Sequence, residues 1–288
     1  MRLARLGDVG SERPYLVDHL GRGIDVSDLL TDVDATFLAG NGLKTLAMQL
    51  LAGRPREPVA ISSLRVGPPV SGIGKIVGVG QNYRQHAREM GQVAPDEPPL
   101  FLKAPYTVVG PNDEVLIPRN SCKTDYEVEL AVVIGATARY LTSPDEALAC
   151  IAGYTISDDV SEREFQLERG GQWDKGKNCE TFNPLGPWLV TVDEVPAPQS
   201  LLMQSRVNGE IRQNSSTEDM IFQVPYLIWY ISQFMVLLPG DVVNTGTPQG
   251  VGSGYDPPRF LQDGDVVETT ISGLGYQRHA VEGQPALS

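Results

Sequence analysis

The chain has 288 residues, 41% of them hydrophobic, and a formal net charge of −13 at pH 7. That length can bury a substantial core and fits one large domain, or a large domain with a small companion. So acidic a chain opposes nucleic acid or an anionic membrane as a partner, because neither supplies counter-charge, and an anionic ligand must find local cations.

Short strands are expected at residues 3–6 and 15–18, punctuated by Gly21-Arg22-Gly23, with a helix at 43–51. Gly67-Pro68-Pro69 reads as a linker that divides a small N-terminal α+β domain, residues 1–70, from a larger unit, residues 71–288. Beyond it β runs dominate, at 76–79, 107–109, 114–117 and 128–134. Ser143-Pro144-Asp145-Glu146 announces a helix: the serine can cap, proline suits the first turn and Glu146 can complete a capping box. Asn208-Gly209 marks a hairpin turn, and strands are expected at 264–267 and 269–271. The apolar run 220–238 is interrupted by Gln223, Pro225, Ser232 and Gln233 and ends at Pro239-Gly240-Asp241 without a basic flank. It is read as a buried helix beginning near Pro225, not a membrane span. Cys122, Cys150 and Cys179 are widely spaced and odd in number, with no CxxC and no secretory segment, so a reduced cytoplasm is expected. Cys179 has no accompanying His motif and is read as structural.

Chemistry concentrates in a few segments. Glu127 and Glu129 stand two apart at the head of an apolar β run, so they project from one face of a strand. Anions so close raise each other's pKa unless a cation lies between them, and all-oxygen ligation selects Mg²⁺, Mn²⁺ or Ca²⁺ over zinc. A third carboxylate is offered by Asp159, with Asp158 the alternative, at the end of another short β segment. His86 and Glu89, at i and i+3 of a helix-like stretch, can touch, so the carboxylate could orient the imidazole as a general base. The polar stretch 91–99 that follows is expected to act as a lid. The glycine-rich segment 246–254 lacks a Gly-Lys-Ser/Thr ending, so it is read as a cradle for a carboxylate, with Thr247, and not as a phosphate loop.

In this order, the segments resemble the fumarylacetoacetate hydrolase superfamily. The resemblance runs over residues 74–282 through Val79-Gly80-Gln81-Asn82-Tyr83 with His86 and Glu89, Phe101-Leu102-Lys103, the Glu127/Glu129 strand, Asp159 to Gln166, Gly176-Lys177, and Thr245 to Gly252. The stretch 166–173 and Pro184-Leu185-Gly186-Pro187-Trp188 resemble a sub-branch of 2,4-diketo-3-deoxy-sugar-acid hydrolases and proteins described as ureidoglycolate lyases. The resemblance implies a mixed α/β, β-rich fold: a C-terminal β-roll of that family behind a small N-terminal α+β domain. It implies that Glu127, Glu129 and Asp159 bind Mg²⁺ or Mn²⁺, that His86 and Glu89 activate water, and that Lys177 stabilises developing negative charge. Arg163, Gln166 and Thr247 would hold the α-keto acid end of the substrate, with Lys103 near the site. At Asn178 the chain departs from the family, where a serine commonly follows the lysine, which puts substrate identity in question. The implied reaction is metal-dependent hydrolysis of a carbon–carbon bond in an acylpyruvate or diketo sugar acid, by a homodimer. Decarboxylation of an oxaloacetate-like acid, isomerisation and ureidoglycolate cleavage are the alternatives on the same scaffold.

Overall fold

A computed structural model describes residues 1–53 and 55–283. The fold is mixed and strand-rich. Its main sheet has nine strands in the order Gly23–Asp25, Arg13–Val17, Arg2–Leu6, Asn183–Thr191, Ile151–Asp158, Val128–Ile134, Val242–Asn244, Ile76–Val79 and Leu100–Lys103, with two short strands branching from it. A second sheet orders Glu210–Ser216, Leu202–Val207, Val266–Ile271, Gly275–Gly283 and Val115–Ile117.

The strand Val128–Ile134 explains why its sequence is apolar without alternation. Val128, Leu130, Val132 and Ile134 pack on one side against Val224, Leu227, Ile228 and Ile231 of the helix Val224–Ser232. Ala131 and Val133 face the other core, which holds Leu3, Val26, Val33 and Leu189. Burying each aliphatic side chain contributes about 1.5–3 kcal/mol, so a strand covered on both faces is a rigid base for what its first residues carry. That second core mixes residues from before and after position 70, and Arg2–Leu6 pairs antiparallel with Asn183–Thr191. A boundary at residue 70 would therefore cut through one continuous sheet.

Several local expectations are refined. The strand expected at 264–267 and 269–271 is one strand, Val266–Ile271, and pairs with Gly275–Gly283, a partner that the sequence reading missed. A helix does form at Pro144–Ala147, but Ser143 makes no capping bond; Glu146 instead accepts from Thr142 N at 2.9 Å and Thr142 Oγ1 at 2.6 Å. In the run 220–238 the helix spans only Val224–Ser232, with Pro225 in its first turn. Among the described residues no helix is long and apolar enough to cross a membrane.

Candidate active site

Alternation along the strand puts Glu127 and Glu129 on the face that carries Ala131 and Val133 deeper in, so this face is anionic at its mouth and aliphatic behind. Asp159 directly follows the neighbouring strand Ile151–Asp158, and its amide donates to Glu127 O at 2.9 Å. One oxygen each from Glu127, Glu129 and Asp159 thus lies within 4.8 Å of the others, and all three residues are buried. Asp158 is used differently: it accepts from Glu127 N at 2.8 Å and lies 2.9 Å from His279 Nε2.

Cations approach this cluster from one flank. Lys177, on the short helix Asp174–Lys177, reaches Glu127 Oε2 at 2.8 Å and Asp159 Oδ2 at 2.6 Å and lies 4.9 Å from the centre of the Phe101 ring. Asn178 secures that helix, donating to Leu102 O and Asp174 O at 2.9 Å and accepting from Ala104 N. Asn178 thus fastens the lysine's helix to the strand Leu100–Lys103. Lys103 is itself buried against Asp159 Oδ1 and donates to Phe182 O at 2.7 Å. It does not line the cavity, and its contacts are those of a fixed counter-ion. Arg163, just ahead of the π-helical turn Glu164–Glu168, donates to Asp125 Oδ2 at 2.9 Å and to Gln166 Oε1 at 3.1 Å. Its Nη2 lies 2.6 Å from Glu127 Oε1 without the alignment of a hydrogen bond.

The carboxylates are unequally served. Burial works to raise the pKa of Glu127, but Lys177 and Arg163 outweigh it and hold the group down to about 2. Glu129 has neither cation in contact, and burial together with the charges of Asp159 and Glu127 pushes it well above the usual carboxylate range. Lys177 is held above its ordinary value despite burial, by Asp159 and Glu127. A buried all-oxygen set with one uncompensated carboxylate suits a hard divalent cation, and these three residues could hold one.

The glycine-rich segment turns out to cradle the protein's own carboxylates. Gly246 N donates to Glu129 at 2.7 Å, Gly250 N to Glu89 at 2.8 Å, and Gly252 N and Ser253 N to Asp125 at 2.6 and 3.0 Å. Gly250 is required there: its φ is +98°, and a Cβ would lie 2.1 Å from Arg212 O. Thr247 lines the cavity, but its hydroxyl donates to Val128 O at 3.0 Å and accepts from Gln213 Nε2 at 2.7 Å. Asp125 and Gln213, both buried, are site-building residues that the sequence reading missed.

His86 and Glu89 do share a helix, Arg84–Glu89, with Nδ1 and Oε2 3.1 Å apart. Since an ionised Glu89 can only accept, the hydrogen bond requires Nδ1 to carry the proton and donate it, which leaves the lone pair of the neutral ring on Nε2. A cavity of about 100 Å³ is walled by His86, Glu127, Glu129, Arg163, Gln166, Lys177 and Thr247, together with the aromatic edge pair Phe101 and Trp173, 5.9 Å apart. Seven of the ten expected site residues meet there; Asp159, Glu89 and Lys103 stand behind it. Cys179 lies outside this wall, and burial pushes its thiol up to about 11, so it stays protonated.

Residues 75–282 match the model of the fumarylacetoacetate hydrolase C-terminal family. Over 283 residues the chain is 47% identical to a 2,4-didehydro-3-deoxy-L-rhamnonate hydrolase of Sphingomonas sp. (strain SKA58), covering 98% of this chain and 96% of the relative. Among solved structures, the fumarylacetoacetate hydrolase of Exiguobacterium antarcticum superposes with a TM-score of 0.83 at 35% identity. The maleylpyruvate hydrolase of Sphingobium sp. SYK-6, in complex with manganese(II) ion and pyruvate, does so with 0.81 at 28%. Each comparison covers 99% of this chain and 100% of the other. On the family match and the full-length likeness, the chain belongs to the fumarylacetoacetate hydrolase family.

Proposed function

We propose that this protein hydrolyses a carbon–carbon bond in a 2,4-diketo acid, an acylpyruvate or a 2,4-diketo-3-deoxy sugar acid, releasing pyruvate and a carboxylic acid. One observation carries the reading: a single cavity is walled by an imidazole, two metal-competent carboxylates and two cations suited to an α-keto carboxylate. Glu127, Glu129 and Asp159 hold Mg²⁺ or Mn²⁺, which when bound supplies Lewis-acid stabilisation to the keto acid's oxygens. Relatives named for a didehydro-deoxy-sugar acid and for maleylpyruvate support the substrate class, and manganese with pyruvate in one of them supports the cofactor and the product.

Arg163, Gln166 and Lys177 grip the substrate's α-keto carboxylate end, with Thr247 lining the wall beside it, while Lys103 holds Asp159 in place. Nε2 of His86, its ring oriented by Glu89, takes a proton from water. The water oxygen bonds to the distal carbonyl carbon, and the bond from that carbon to the methylene breaks. The electron pair stays with the pyruvate fragment as an enolate, whose negative oxygen Lys177 stabilises until the methylene carbon is reprotonated. Decarboxylation of an oxaloacetate-like acid would leave the His86–Glu89 pair without a purpose. The segment 91–99, largely exposed and irregular beside the cavity residues Met90 and Gln92, closes as a lid. Unpaired Cys122, Cys150 and Cys179 support a reducing cytoplasm. The exposed Phe234, edge-on to Tyr230, which stacks in a row with Tyr226 and Phe222, supports a homodimer, to be checked as a dimeric mass by light scattering. The deciding experiment is product analysis with acetylpyruvate, a 2,4-diketo-3-deoxy sugar acid, oxaloacetate and ureidoglycolate in Mg²⁺ or Mn²⁺. Pyruvate and a carboxylic acid from the diketo acids are expected. Carbon dioxide from oxaloacetate alone, or glyoxylate from ureidoglycolate alone, would overturn the reading.

A further inference from the structure

We propose that the far end of the cavity selects a neutral, hydroxylated acyl chain and rejects one ending in a second carboxylate; this rests on the diketo-acid reading and narrows it. The first argument is the placement of charge. Among the described residues that line the cavity, Arg163 and Lys177 are the only lysine or arginine side chains, and both lie against Glu127. A substrate's keto acid end takes those two cations. A second carboxylate at the other end would meet no cation and would be held near a cluster that already carries excess negative charge, an arrangement that costs affinity.

The second argument is what the remaining wall offers. It includes Gln81, Met90, Gln92, Leu167, Trp173 and Ser253. Gln81 Nε2 donates to Gln92 Oε1, which leaves the Gln81 amide oxygen and three amide N–H groups, one on Gln81 and two on Gln92, able to accept from or donate to hydroxyl groups. Gln81 sits at φ +53°, a left-handed conformation unfavourable for a non-glycine residue, so the turn that presents it carries some backbone strain. Its neighbour Gly80 lets Trp173 close down on the turn, since a Cβ there would lie 2.4 Å from the indole Cζ3. This wall combines amides with an indole and aliphatic side chains, which matches a short chain bearing both C–H and O–H groups. A wholly aliphatic acyl group would offer the free amide groups of Gln81 and Gln92 no partner in place of water.

The test compares kcat/KM for acetylpyruvate, maleylpyruvate and a 2,4-diketo-3-deoxy sugar acid in Mn²⁺, and calorimetric binding of the same three to a His86→Ala protein loaded with Mn²⁺. The sugar acid is expected to exceed acetylpyruvate about 10-fold and maleylpyruvate about 100-fold, in turnover and in affinity. Gln81→Leu and Gln92→Leu should each cut the preference for the sugar acid over acetylpyruvate about 10-fold, and Gln92→Lys should raise maleylpyruvate turnover about 10-fold. Maleylpyruvate equalling the sugar acid in wild type, or a preference untouched by both leucine variants, would overturn the inference while leaving diketo-acid hydrolysis standing. If none of the three is turned over, the hydrolase reading fails, and the binding ranking alone still supports or overturns the selection for a neutral hydroxylated chain.

Discussion

Two ionic clusters in this protein, one partly and one fully buried, both set carboxylates against basic side chains and behave in opposite ways. Near the N-terminus, Arg5 forks Asp32 at 2.6 and 3.0 Å, and Arg65 forks Asp113 at 2.8 and 2.5 Å. Glu12 is shared between them, at 2.9 Å from Arg65 and 3.4 Å from Arg5. Each carboxylate there has a guanidinium, and although burial works to raise Asp32, Arg5 and Ser71 hold it below the usual range. In the cavity, by contrast, Glu129 has among the described residues only the Gly246 amide as a hydrogen-bond donor and is pushed up by burial and by the charges of Asp159 and Glu127. A matched network closes a joint between chain segments, whereas an unmatched one leaves a place for a cation to bind.

Breaking the contrast at the cavity should give the largest effects. Glu129→Gln should lower turnover by more than about 100-fold and abolish Mn²⁺ binding by calorimetry, since even residues supporting a ligand are worth 10–100-fold. The metal-free variant should melt no lower than wild type, because the change removes a buried carboxylate that no cation answers. A markedly lower melting temperature would mean that Glu129 is a structural partner like Asp32. Chelation should likewise remove activity from wild type, with Mg²⁺ or Mn²⁺ restoring it and raising the melting temperature.

Next in size, His86→Ala should lower hydrolysis about 10²–10⁴-fold while leaving Mn²⁺ affinity intact, and Glu89→Gln should do the same more mildly. Equal loss of metal binding in His86→Ala would tie the imidazole to the carboxylate cluster instead of to water. At the other cluster, Arg5→Met should cost about 2 kcal/mol of stability by leaving Asp32 without its guanidinium while Glu12 keeps Arg65, lowering the melting temperature with kcat unchanged in the folded enzyme. A parallel drop in kcat would show that the two clusters are mechanically linked.

The smallest effect sharpens the sign. Because the folded value of Asp32 lies below its unfolded one, its contribution is full above the ordinary carboxylate range and fades as pH falls through the folded value. The melting difference between wild type and Arg5→Met should therefore be constant near neutrality and shrink below about pH 4. A difference that grows on acidification would remove Asp32 from the joint.

The parts of the site that could be read from the sequence are those set by local geometry. Two glutamates at strand spacing, a His and a Glu three apart on a helix, and an aspartate at a strand end need only short-range rules, and these side chains do come together. Partners delivered by distant chain could not be read that way. Asp125 meets the amides of Gly252 and Ser253 from 127 and 128 residues away, and His279 meets Asp158 from 121. The same holds for the fold. The pairing of Arg2–Leu6 with Asn183–Thr191 leaves no trace in either segment's pattern. The strand Gly275–Gly283 escaped notice because Gln277 and His279 are fully buried polar residues at positions where a core-facing strand normally shows aliphatics.

The glycine-rich loop has a consequence for how this site can change over time. Through successive backbone amides it clasps Glu129, Glu89 and Asp125, and so touches the proposed metal ligand set, the orienter of His86 and the anchor of Arg163. An insertion or deletion there would shift all three at once. Gln81 and Gln92 lie outside that clasp, so a substitution at either would leave these three carboxylates held as they are.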